Sequence, residues 1–154
     1  MKTTADPTAS LRALVERFAE SIATNSVGEK AIHETHISIV LVVGEFAYKF
    51  KKTVDLGFLN FSTLDRRRHF CERELEFNLR YAPDLYIDVV PITGSAASPR
   101  MGNGGTVIEY AVRMRRFAAD ATLDVEVENE HIALVKQIAY SAEYPAICAT
   151  KRVN

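Results

Sequence analysis

The 154-residue chain reads as an α+β fold, an antiparallel sheet of three to five strands with a helix packed on it. Three observations predict this. A β-branched run, His36–Val43, is followed by Gly44-Glu45 and a second alternating run, Phe46–Lys51. A segment from Ser62 to Tyr81 has helical periodicity. The later strand candidates do not fall at strand–helix–strand spacing, which disfavours a parallel sheet.

Taken in order, Ala9–Ala23 is an amphipathic helix, because Leu11, Leu14, Val15, Phe18 and Ile22 recur every three or four residues. Thr24–Lys30 is a polar connector. Gly44-Glu45 suits a two-residue type II′ turn with glycine first. On the returning strand, alternation sets Phe46, Tyr48 and Phe50 on one face and Ala47, Lys49 and Lys51 on the other. Thr53–Phe61 is an irregular link. Ser62-Thr63-Leu64-Asp65 has the form of a helix start, with a capping hydroxyl and an acid close behind. The helix stops before Ala82-Pro83. Leu85–Ile92 is a strand, Thr93–Gly105 a mobile hairpin loop rich in Gly, Ser and Ala, and Thr106–Phe117 the last strand. An acidic linker, Asp120–Asn129, and a short helix, His131–Ala142, follow.

Composition narrows the class without naming a function. A net charge of −1 gives no whole-molecule attraction to nucleic acid. The longest apolar run, Ile37–Val43, is too short to span a bilayer. Met1–Ser10 has no apolar core of a secretion signal, and the two cysteines, Cys71 and Cys148, show no metal-ligand spacing. A cytoplasmic protein with reduced thiols, no membrane partner and no nucleic-acid partner is the expectation. Gly102-Asn103-Gly104-Gly105 lacks the Lys-Ser/Thr that would make it a P-loop.

One charge stands out on the Ser62–Tyr81 helix. Leu64, Phe70, Cys71, Leu75, Phe77, Leu79 and Tyr81 form a broad apolar arc, and Glu74 falls inside it. An inward carboxylate needs a cation or donors. Lys49, on the inner face of the preceding hairpin, is one candidate, with Lys51 as the fallback if a bulge shifts the strand; Arg67, on the same helix, or another basic neighbour is the alternative. Lys49, Lys51 and Lys52 equally suit a solvated strand edge. Arg66-Arg67-Arg68 with Arg113, Arg115 and Arg116 reads as a solvated face balanced by nearby acids.

Phe46-Ala47-Tyr48-Lys49 is similar to the Val-Ala-Ile-Lys strand motif of protein kinases, whose lysine pairs with a glutamate on the following helix. The match extends. Glu34-Thr35-His36-Ile37-Ser38, Ala47–Lys52, Val54–Leu64, Arg66–Cys71, Glu74-Leu75, Ala82–Tyr86, Val90-Pro91-Ile92 and Ile108–Phe117 together resemble bacterial aminoglycoside phosphotransferase-like kinases, over roughly residues 30–120. Full members of that family have two lobes.

The resemblance implies a kinase-like N-lobe at 31–118, preceded by a helix and connector at 1–30. Residues 119–154 would be a linker and short helix that begin a C-lobe. It implies ATP with Mg as cofactor. Lys49 would contact phosphates, Glu74 would anchor it, and Ala47 would leave room for the base. Met114–Phe117 would be the hinge, making Met114 and Arg115 cofactor-binding positions, and Glu34–Ser38 would lie where kinases place their phosphate-covering loop. No His-x-Asp loop or Asp-Phe-Gly-like motif occurs, so no catalytic residue is assigned. The resulting expectation is a truncated nucleotide-binding lobe that partners with a C-lobe or with itself. The alternative is a non-catalytic interaction or regulatory module.

Overall fold

The computed structural model describes residues 7–23 and 30–116. Helix α1 (Pro7–Ala23) precedes strands β1 (Ala31–Glu34), β2 (Ser38–Val43) and β3 (Phe46–Lys51). Helix α2 (Leu64–Asn78) follows, then β4 (Tyr86–Ser95), β5 (Ser98–Met101) and β6 (Val107–Arg115). The fold is α+β. The six strands form one sheet in the order β1-β2-β3-β6-β4-β5, with every neighbouring pair antiparallel. The acidic linker and the His131–Ala142 helix lie outside the described residues.

Six strands exceed the expected three to five, and the two extra ones have a common reason. β1 is only four residues long, without the alternation that marks a half-buried strand. β5 sits inside Thr93–Gly105, whose composition reads as a loop. Instead of a mobile loop, β4 runs on to Ser95 and returns through β5. Gly94 makes that return possible: its φ is +96°, and a Cβ there would stand 2.6 Å from the Ser98 carbonyl oxygen. At the β2–β3 turn Gly44 has φ +58°, as a glycine-first hairpin turn requires.

The sheet is covered on both faces. On one, α1 contributes Leu11, Leu14, Val15, Phe18 and Ala19 to a core with Ile39, Leu41, Tyr48, Phe50, Val90 and Ile92. Phe18 is fully buried and meets Tyr48 and Phe50 edge to face at 5.5 and 5.8 Å. On the other, α2 packs against a second core of Ala47, Cys71, Tyr86, Val112 and Met114. The alternation of β3 divides its residues between these cores as its period of two demands.

Helix α2 begins where its sequence signals. Thr63 is the N-cap, and its hydroxyl accepts the Arg66 amide at 3.3 Å. Its buried stripe differs from the expected apolar arc. Arg67, Cys71, Glu74 and Asn78, at i, i+4, i+7 and i+11, are the buried positions. Leu75, Phe70 and Phe77 are half-buried, whereas Leu79 and Tyr81 are exposed. The helix ends at Asn78, so helical phase no longer aims the last two inward. The stripe is mostly polar: Glu74 and Arg67 find partners on distant strands, Asn78 bonds back to its own helix, and Cys71 packs among apolar neighbours.

Candidate functional site

The second face of the sheet, beneath α2, gathers the charged residues. β3 directs Ala47, Lys49 and Lys51 toward it, and α2 brings Glu74 over them. Lys49 Nζ donates to Glu74 Oε1 at 3.0 Å, and Lys51 Nζ donates to Glu74 Oε2 at 2.8 Å. The carboxylate is therefore bridged, one oxygen to each ammonium. Glu74 and Lys51 side chains are 0% exposed and the Lys49 side chain 11% exposed, so only Lys49 reaches solvent.

Burial alone would push the Glu74 carboxyl upward. The charges of Lys49 and Lys51, with their hydrogen bonds, overcome that and hold it at about 2. The carboxylate is thus ionised across the physiological range. Lys51 is also capped by an aromatic ring, its Nζ standing 4.9 Å from the centroid of Phe61.

The cap is held by a second buried ion pair. Arg67 Nε donates to both carboxylate oxygens of Glu109, at 2.9 and 3.0 Å, and Arg67 Nη1 donates to the Phe61 carbonyl at 2.9 Å. The Phe61 ring packs edge to face on Phe70 at 4.9 Å. Arg67, the competing sequence candidate for Glu74, is therefore committed to β6 and to the link before α2. Further along α2, Asn78 Nδ2 donates to the Glu74 carbonyl at 2.8 Å, while its buried Oδ1 has no partner among the described residues.

Strand register extends the site away from the lysines. Val40 lies opposite Lys49 and Val42 opposite Ala47 across β2–β3, and Met114 lies opposite Ala47 across β3–β6. Directly opposed residues share a face, so Val42, Ala47 and Met114 form an apolar row beside Lys49. Val40 and Val42 are half-buried and pack against the second core. The sequence reading did not single them out; the equal arms of the Gly44-Glu45 hairpin would have paired them with Lys49 and Ala47.

Met114 is 4% exposed and lies in this core, and Arg115 is exposed at the end of β6. The Arg115 amide donates to the Leu85 carbonyl at 2.8 Å and the Arg116 amide to the Glu45 carbonyl at 2.7 Å. These two backbone donors are thus committed within the fold. Phe117 lies outside the described residues. Val112 and Met114 pack with Ala47, Cys71 and Tyr86, and Tyr110 is half-buried.

The Glu34–Ser38 segment is a tight turn between β1 and β2. The Thr35 amide donates to the Ser38 carbonyl at 2.9 Å, and the Thr35 hydroxyl accepts the Ser38 amide at 3.1 Å. Glu34 is bound by Lys52 at 2.6 Å and by Arg12 of α1 at 2.9 Å. Thr35 and Ser38 thus bond each other, Glu34 pairs with residues outside the turn, and the segment contains no glycine.

The remaining basic residues are largely paired. Arg113 binds Asp88 through two bonds, at 2.9 and 2.6 Å; Arg68 pairs with Glu72 and Arg73 with Glu76. Cys71 is a buried free thiol that burial pushes up to about 12, so it is a poor nucleophile. Among the described residues no group of three His, Cys, Asp or Glu side chains is placed to hold a metal ion, and no helix is long and apolar enough to cross a membrane.

No family model matches the chain. Among curated proteins it is similar to the uncharacterized protein Mb2027c of Mycobacterium bovis and to the uncharacterized proteins MT2060 and Rv2004c of Mycobacterium tuberculosis. Each is 31% identical over 114 residues, covering 70% of this chain and 21% of the relative. The chain thus spans about a fifth of the length of these relatives. No solved structure matches.

Proposed function

We propose that this chain is a nucleotide-binding lobe of the aminoglycoside phosphotransferase-like kind, built to hold ATP phosphates at Lys49. The observation that carries the reading is the Lys49–Glu74 ion pair, formed between the third strand of an antiparallel sheet and the helix that follows it. A glutamate so placed fixes the direction of the lysine. An ammonium has three donors, so holding Glu74 does not exhaust Lys49. Beside it stands half-buried Val42, backed by the buried Ala47 and Met114, an apolar lining of the kind that flanks a planar base.

The described residues supply a cation for phosphate and an apolar wall, and no carboxylate cluster for Mg²⁺. Bound nucleotide would bring the transferable phosphoryl group. The chain's own contribution is to bind and orient it. The sequence carries no His-x-Asp loop and no Asp-Phe-Gly-like motif, the elements that activate the acceptor and hold the metal in kinases.

The test is a titration of the chain with a fluorescent ATP analogue in the presence of Mg²⁺. Saturable binding that Lys49→Met abolishes supports the reading. Binding unaffected by Lys49→Met, or no binding, refutes it and favours an interaction module.

A further inference from the structure

A single lysine would suffice to pair with Glu74, yet two reach it, and their surroundings differ. Lys51 is wholly enclosed: Glu74 Oε2 lies 2.8 Å away, and the Phe61 ring covers the ammonium. That ring is itself fixed, since Arg67 holds the Phe61 carbonyl and Phe70 packs on the ring. Moving a wholly buried ammonium away from its carboxylate in a low-dielectric interior is strongly unfavourable. Lys49 sits two residues earlier on the same face, at the solvent edge, on the other carboxylate oxygen.

We infer that Lys51 is the positioning residue of this site: it holds Glu74, and through it α2, in place, while Lys49 is the lysine that exchanges between Glu74 and an arriving phosphate. The division of labour rests on the nucleotide reading above, but the anchoring half stands on geometry alone. In a site with one lysine, drawing that lysine toward a ligand loosens its hold on the helix. Here the Lys51–Oε2 bond persists when Lys49 turns away, so α2 stays docked in both states. Lys51 acts on the ligand only through Glu74.

The deciding experiment is a carboxyl-carbon NMR titration of Glu74 in the full chain without nucleotide. The groups facing this carboxylate are Lys49 and Lys51, with the Cys71 thiol close by. With Lys49→Met, Glu74 continues to titrate below the ordinary value of about 4.3. With Lys51→Met it moves to or above that value, and Lys51→Arg restores the low value. An equal or larger upward move in Lys49→Met overturns the inference.

Should Lys51→Met fail to fold, ammonium proton exchange in the wild-type chain gives the same decision. Lys51 protons exchange about tenfold more slowly than those of Lys49; equal or inverted rates contradict the anchor. Adding a non-hydrolysable ATP analogue with Mg²⁺ then tests the underlying reading separately. A saturable shift of the Lys49 ammonium with Lys51 unmoved is the expected result. A shift of Lys51 alone overturns the inference. A shift of neither refutes the nucleotide reading and leaves the anchoring of Glu74 decided by the titration.

Discussion

Lys49 and Glu74, 25 residues apart in sequence, meet at 3.0 Å across the gap between β3 and α2. Two periodicities bring them together. The alternation of β3 turns Lys49 to the α2 face, and the helical phase of α2 turns Glu74 inward. The consequence is a buried anion whose partners are both on one strand, so strand and helix are coupled by charge as well as by packing.

That coupling predicts the effect of Glu74→Gln. The change keeps shape but leaves two lysine ammoniums without the carboxylate that both contact. Removing one partner from a buried ionic cluster costs about 3–5 kcal/mol. Urea unfolding measures it; a loss within about 0.5 kcal/mol, the range of surface changes, would mean that the cluster contributes little.

The same cluster sets a pH dependence. Glu74 is held at about 2 in the folded chain, below the ordinary value of about 4.3 when unfolded. Its stabilisation is therefore complete above that unfolded value and is lost as pH falls toward 2. The contribution is about 3 kcal/mol, of which roughly 2 is gone by pH 3. Glu109, pushed up by burial against the pull of Arg67, contributes with the opposite sign. The difference between wild type and Glu74→Gln isolates Glu74. Urea midpoints at neutral and acid pH should converge for the two proteins as pH falls; a constant gap would contradict the assignment.

Arg67 ties α2 to Glu109 and to the Phe61 carbonyl. Arg67→Met should cost about 3–5 kcal/mol, because it leaves a buried carboxylate without its cation. The double change Arg67→Met with Glu109→Leu should recover much of that loss, since both charges are then gone. Denaturation of the singles and the double provides the cycle; a double as unstable as the sum of the singles would show that the pair does not act as a unit.

What was legible in the sequence is what periodicity encodes. The faces of β3 and α1, the N-cap Thr63 and the inward Glu74 all follow from local spacing. Lys51 shares the face of Lys49 by the same alternation. Its contact with the second oxygen of Glu74 depends on the lateral position of α2 over the sheet, which no single-element pattern contains. The Arg67–Glu109 pair, 42 residues apart, was hidden for the same reason. The polar stripe of α2 differs from an apolar arc because Arg67 is buried against Glu109 and the Phe61 carbonyl, partners that helical spacing does not display. β1 and β5 escaped notice because four-residue strands are stabilised by the sheet they join, not by their own pattern.

Catalysis gives a prediction of its own. The purified chain should turn over no ATP above background, because its sequence contains neither a His-x-Asp loop nor an Asp-Phe-Gly-like motif. A coupled assay for ADP release reads this directly. Steady turnover that disappears in Lys49→Met would show that the chain supplies catalytic groups by another route.

Amide NMR during titration with a non-hydrolysable ATP analogue and Mg²⁺ decides whether the face holding Lys49 is a nucleotide site. A nucleotide site there gives saturable shifts confined to Val40, Val42, Ala47, Lys49 and Met114, absent in Lys49→Met. Saturable shifts centred elsewhere, or none at millimolar analogue, would contradict it.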